Sequence, residues 1–141
     1  MADQAHDLYG KSVLRAAAGS ALCEYGPDIE VDYGTRSRAR LDGAVGDVAI
    51  EVESRTSKQV RGAVLDLVLH PYPKKLLILL PVHMSNAELC ANQCRHALAR
   101  FVSADCFRVV VASGHGHNPQ LAADTALVRA ALRELGSTIA V

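Results

Sequence analysis

Residues 75–82 read Lys-Leu-Leu-Ile-Leu-Leu-Pro-Val, an aliphatic run of strand length between charged and polar flanks. A strand with no polar face needs apolar cover on both sides, as the central strands of helix-covered sheets have. Its unbroken part, Leu76 to Leu80, is far short of the roughly 20 residues that span a bilayer. A membrane protein is therefore excluded. Half of the 141 residues are hydrophobic and 21% are charged, which also excludes a disordered chain. With no Trp and 4% aromatic residues, aliphatic side chains must fill the core.

The rest of the chain supplies the cover. Residues 3–18 are Ala-rich, with Leu8, Val13, Leu14 and Ala17 at near-helical spacing and Gly19 closing the segment. After a turn at Gly26-Pro27, three short strands are predicted at 29–33, 36–44 and 48–52. Ser57 caps a helix over 58–69 with Val60, Val64, Leu67 and Val68 inward, stopped by Pro71 and Pro73. Ser85-Asn86-Ala87-Glu88 is a capping box, followed by Leu89, Ala97, Leu98 and Phe101. Residues 107–111 form a second buried strand, and Asn118-Pro119 opens a last helix with Leu121, Thr125, Val128, Leu132 and Leu135 on one stripe. The order predicts one α/β domain over residues 1–141, a central mixed sheet flanked by helices, with no internal repeat.

The chemistry gathers in residues 40–55, Arg-Leu-Asp-Gly-Ala-Val-Gly-Asp-Val-Ala-Ile-Glu-Val-Glu-Ser-Arg. Alternation places Glu51 and Glu53 on one face of their strand, opposite Val48, Ile50 and Val52. With Gly46-Asp47 as a two-residue type II′ hairpin loop, Asp42 falls opposite Glu51 and Arg40 opposite Glu53. Directly paired positions have Cβ atoms about 5 Å apart, so Asp42, Glu51 and Glu53 converge. Like charges that close repel unless a positive group sits among them, and a hard divalent cation, Mg²⁺ or Mn²⁺, suits an all-oxygen set. A solvated hairpin whose acids pair with Arg38, Arg40 and Arg55 is the plainer alternative.

The Asp-hairpin-Glu-x-Glu unit, with a helix before it and an α-β pair after it, resembles the PD-(D/E)xK nuclease superfamily, also called the restriction-endonuclease-like fold. Asp42 and Glu51 match its acidic pair, and Glu53 stands in the Lys position. The resemblance covers residues 3–82, an α-β-β-β-α-β core, with 83–141 as an added α-β-α extension. It implies that Asp42, Glu51 and the backbone carbonyl of Val52 bind the metal. The position of Glu53 would orient or deprotonate the attacking water. A further carboxylate often comes from the first helix in this superfamily. Here the choice lies among Asp3, Asp7 and Glu24, with Glu24 ranked first because it precedes the turn into the sheet. The implied activity is a metal-dependent DNA endonuclease of restriction, repair or junction-resolving type. Glu-x-Glu variants occur among type II restriction endonucleases, and loss of the Lys also occurs in members that no longer cleave. The alternative is thus a catalytically inactive DNA-binding or scaffolding module on the same fold.

Equal numbers of Lys+Arg and Asp+Glu, 15 each, hide an uneven distribution. Arg36, Arg38, Arg40, Arg55, Lys58 and Arg61 crowd around the acids, and with Gln59 at the next helix start they are the candidate contacts to a phosphate backbone. The scarcity of aromatics disfavours single strands, so duplex or branched DNA is the expected partner. Cutting both strands requires two sites, so a homodimer is expected, formed through the helices after residue 84. Four cysteines in a chain whose start resembles no secretory signal read as reduced, cytoplasmic thiols, with Cys90 and Cys94 as buried apolar groups. Ser-Gly-His-Gly-His-Asn-Pro, 113–119, reads as an ordinary flexible loop that lacks a dinucleotide fingerprint.

Overall fold

The computed structural model describes residues 4–36 and 38–138. A helix, α1 (Gln4–Ala18), leads through a tight 3-10 turn into a two-residue strand, β1 (Leu22–Cys23). Then come β2 (Glu30–Asp32), β3 (Arg38–Arg40), β4 (Gly43–Val45) and β5 (Val48–Glu53), followed by α2 (Ser57–Leu69) and β6 (Lys74–Leu79). The chain ends with α3 (Ala87–Leu98), β7 (Phe107–Val111) and α4 (Leu121–Glu134). Five strands form one mixed sheet in the order β1-β4-β5-β6-β7, antiparallel across β1, β4 and β5 and parallel across β5, β6 and β7. Among the described residues no helix is long and apolar enough to cross a membrane.

The aliphatic run behaves as its composition requires. Leu76, Ile78 and Leu80 point to one core, shared with Val13 and Leu14 of α1 and Val128 and Leu132 of α4. Leu77 and Leu79 point to the other, with Val60 and Leu67 of α2 and Cys90 and Leu98 of α3. Each fully buried aliphatic side chain contributes about 1.5–3 kcal/mol, so two layers on one strand fix it at the centre of the sheet. Residues 4–82 hold α1, five short strands, α2 and β6, with β1, β4 and β5 the sheet strands that precede α2, and β7 with α4 extends the same sheet and the same α1-side layer; residue 3 itself lies outside the described residues.

Several expectations are corrected, among them the cap of α2, which is Thr56 rather than Ser57. The first predicted strand, 29–33, and the start of the second, 36–44, form a separate ribbon instead: β2 pairs only with β3, and the second segment breaks at Leu41-Asp42 so that only its end, in β4, enters the sheet. Buried Leu41 anchors the crossing by donating its N–H to the Ile29 carbonyl, 2.8 Å. The strand that replaces them, β1, is too short to show alternation. On α1, Leu8 faces solvent while His6, Tyr9 and Gly10 face inward. On α3, Asn86 rather than Ser85 is the cap, accepting the Leu89 N–H at 3.0 Å, and Leu89 and Phe101 are exposed. Ala91 is buried with Cys90 and Cys94, the two thiols expected to be, and all four cysteines are free. On α4 the buried stripe runs Asp124, Val128, Ala131 and Leu132; Leu121 is exposed and Thr125 half-buried.

Candidate active site

The β4–β5 hairpin closes as its sequence predicts. Gly43, Ala44 and Val45 face Ile50, Ala49 and Val48, and Gly46 takes φ 57° while among the described residues no non-Gly residue, Asp47 included, has positive φ, the signature of a type II′ loop. The next pair outward is Asp42 and Glu51. The Asp42 N–H donates to Glu51 Oε1 at 3.0 Å, and the Val52 N–H donates to Asp42 Oδ2 at 2.6 Å. Each acid thus grips the backbone beside the other. Glu51 and Glu53 lie on the α2 side of the sheet and are only 7% exposed, because both faces of β5 are covered.

Glu53 is held by Arg55, whose Nε and Nη2 donate at 2.5 and 3.3 Å. Arg40 does not lie opposite Glu53 in the sheet; it pairs with Glu30 across the β2–β3 ribbon. From there it still lines the same cavity, which measures about 820 Å³ and takes in Asp42, Glu51, Glu53 and Arg55.

The helix carboxylate at this cavity is Asp7, not Glu24. Glu24 is clamped by Arg15, 3.0 and 3.1 Å, and borders a separate pocket on the other flank of Asp42. Asp7 arrives because α1 lies unusually close to β5. A Cβ on Gly10 would stand 2.9 Å from Val52 Cγ1, so glycine lets the first turn of α1 reach the end of the strand. Between them is a recess of about 20 Å³, bordered by His6, Asp7, Lys11, Asp42 and Ser54. Such a space suits one water or one ion.

Asp66 of α2 and His83, beyond β6, complete the cavity wall, and neither was predicted. The signal for Asp66 was available: with Gln59 and Ala63 it shares a helical face that borders the buried one. His6 could have been found by its spacing from Gly10, Leu14 and Ala17. Asp66 accepts a hydrogen bond from the Tyr33 hydroxyl, which fastens the ribbon end over the site.

Burial dominates the electrostatics. It pushes the Glu51 carboxyl up to about 10, reinforced by the negative charges of Asp42 and Asp66. Asp42 keeps an exposed edge, yet protein crowds its carboxylate; burial raises its pKa against the lowering effect of the Val52 N–H and of Glu51. The pair therefore retains a proton near neutral pH, where an isolated pair would have lost both.

Among the described residues no three His, Cys, Asp or Glu side chains stand at the spacing of an assembled metal site. The donors that fit a hard divalent cation are oxygens: Asp42 and Glu51, the Val52 carbonyl, and Asp7 across the recess. Exchange of the retained proton for a cation is the chemistry this arrangement invites.

The expected DNA contacts divide among several surfaces. Arg40, Arg55 and Gln59 line the cavity, although Gln59 Oε1 also accepts from Thr56 in the α2 capping box. Arg38 pairs with Asp32 at 3.3 Å, and Arg61 faces a groove between α2 and α3 beside Cys90 and Cys94. Arg36 and Lys58 are exposed. No family model matches the chain, and neither a curated protein nor a solved structure does.

Proposed function

We propose that the chain is a metal-dependent nuclease that hydrolyses DNA phosphodiester bonds. The observation that carries this reading is the hairpin register that sets Asp42 against Glu51, each accepting a backbone N–H beside the other, with Glu53 next along the strand. The restriction-endonuclease-like element order, α1-β1-β4-β5-α2-β6, supports it, with the β2–β3 ribbon as an insertion.

In this reading Asp42, Glu51 and the Val52 carbonyl hold Mg²⁺ or Mn²⁺, with Asp7 beside them. A bound cation lowers the pKa of a water and offsets charge building on the phosphate. Arg40 and Arg55 hold the substrate's phosphates at the cavity edge, and Glu53, once Arg55 turns towards a phosphate, accepts the proton of the attacking water. A homodimer through the region after residue 84 would bring two such sites to a duplex, with exposed Leu89 and Phe101 available for the contact.

One observation favours a second reading, a non-cleaving DNA-binding module: the Glu53–Arg55 ion pair occupies the place the superfamily gives to lysine. Incubation of the chain with duplex and branched DNA separates the two. A nuclease cleaves only with Mg²⁺ or Mn²⁺, and Asp42→Asn or Glu51→Gln lowers the rate by about a hundredfold or more while the fold persists. Binding that is indifferent to metal, with no cleavage, selects the module.

A further inference from the structure

Four of the six histidines, His6, His83, His115 and His117, meet from three separate places: the start of α1, the segment after β6 and the loop after β7. His6 is the hub. The ring centroids of His117, His115 and His83 stand 5.0, 5.3 and 5.5 Å from its own, each ring edge-on to it.

The loop that brings two of them is built rather than loose. The N–H groups of Ser113 and Gly114 donate to buried Asp124 at 2.6 and 3.0 Å. Asp124 also takes the Tyr9 hydroxyl at 2.5 Å, and Tyr9 Oη accepts the Gln120 N–H at 3.0 Å. His115 and Asn118 exchange two backbone bonds of 3.1 Å, closing a turn. A Cβ on Gly116 would lie 2.4–2.6 Å from the backbone of Ala5 and His6, so the loop rests directly on the first turn of α1.

The backbone also decides what two of these rings, His6 and His115, offer. The Gly116 N–H donates to His6 Nδ1 at 3.0 Å, and the His117 N–H donates to His115 Nδ1 at 3.2 Å. A ring nitrogen that accepts an N–H bears a lone pair, so in the neutral ring the hydrogen sits on Nε2. A transition metal needs the opposite polarity, a lone pair facing the ion and the other N–H donating outward. N–H groups held in place beside further imidazoles suit a ligand that only accepts, an oxyanion.

We propose that the His6–His83–His115–His117 cluster is a phosphate-binding site, with His115, whose Nδ1 is taken by a backbone N–H, as its oriented donor, His83 and His117 as the rings beside it, and His6 as the hub that positions them. His6 and His83 also line the carboxylate cavity, so the nuclease reading, on which only the source of the phosphate rests, makes that phosphate a neighbour along the bound strand.

The test follows the imidazole ¹⁵N–¹H signals of the full chain in the presence of a chelator, titrated first with inorganic phosphate and then with a short DNA duplex. Inorganic phosphate moves the His83, His115 and His117 signals together and leaves His70 and His96 unmoved. A duplex moves the same signals with at least roughly tenfold tighter binding, since further phosphates share the contact. His115→Phe, checked for folding by circular dichroism, weakens the phosphate response roughly tenfold, the worth of one hydrogen bond to a charged ligand. Gly116→Val does the same by lifting the loop off α1 while every imidazole remains. Glu51→Gln leaves the response intact, so a chain that neither binds cations nor cleaves DNA but still answers to phosphate retains this site and loses only the nuclease reading. Signals indifferent to phosphate up to roughly 50 mM overturn the proposal. So does micromolar Zn²⁺ or Ni²⁺ binding that erases all four ring signals.

Discussion

Glu51 accepts the Asp42 N–H and Asp42 accepts the Val52 N–H, yet the pair still keeps a proton, and this has a thermodynamic sign. A carboxyl whose pKa in the folded chain is raised from its ordinary value to about 10 makes the metal-free protein lose stability as pH climbs from the unfolded carboxyl range towards that value. Glu51→Gln keeps an acceptor for the Asp42 N–H and removes the charge. In thermal denaturation at pH 8 without metal it is expected to gain about 1–3 kcal/mol, and near pH 5 almost nothing; equal effects at both pH values would contradict the assignment. Arg55→Gln removes a guanidinium that is 52% exposed. Glu53, its partner, is only 7% exposed and would be left without its guanidinium, so stability should fall by about 1–3 kcal/mol. Divalent binding should tighten about threefold or more in calorimetry, because the carboxylates lose their resident cation. The acidic pair was legible in the sequence because a two-residue turn and a period of two leave no freedom in register. Asp7 was not, since nothing in the letters of α1 says how near its first turn comes to β5.

At the scale of elements, the approach of α1 to β5 is what converts a pair of acids into a cluster. Gly10→Val would press a branched side chain into Val52, where even a Cβ already stands at 2.9 Å. Overpacking of this kind costs about 1–3 kcal/mol, measurable by urea denaturation, and moving Asp7 away should weaken cation binding in the same variant. If stability falls but cation binding is unchanged, Asp7 has no part in the site. The helices α2 and α4, the strand β7 and the aliphatic strand β6 were readable because their stops and apolar runs agreed, although Thr56 rather than Ser57 caps α2 and α4 begins after Gln120 rather than at Asn118-Pro119. The ribbon was misread because β2 and β3 alternate like sheet strands while the decisive event, the crossing at Leu41-Asp42, depends on a tertiary bond from Leu41 to Ile29. Leu89 and Phe101 misled because the buried stripe of α3 is Cys90, Ala91, Cys94 and Leu98, a face of small thiol and methyl side chains that a search for large aliphatic residues passes over.

For the whole molecule, three parallel strands end at the same edge of the sheet: β5 delivers Glu51 and Glu53, the segment after β6 carries His83, and the loop after β7 carries His115 and His117. The N-terminal turn of α1 lies against that edge with His6 and Asp7. Open sheets commonly bind ligands beyond the carboxyl ends of their parallel strands, where loops diverge and leave space. The sheet's interior was foretold by composition; its edge was not, because the partners there are far apart in sequence and meet only through the topology. What unites the account is a buried carboxyl pair that exchanges a proton for a divalent cation. Calorimetric titration with Mn²⁺ at pH 7.5, repeated in buffers of different ionisation enthalpy, measures this directly. The wild-type chain should bind the ion and release about one proton, and Glu51→Gln should do neither. Ion binding with no proton released, or release that survives in Glu51→Gln, would contradict it.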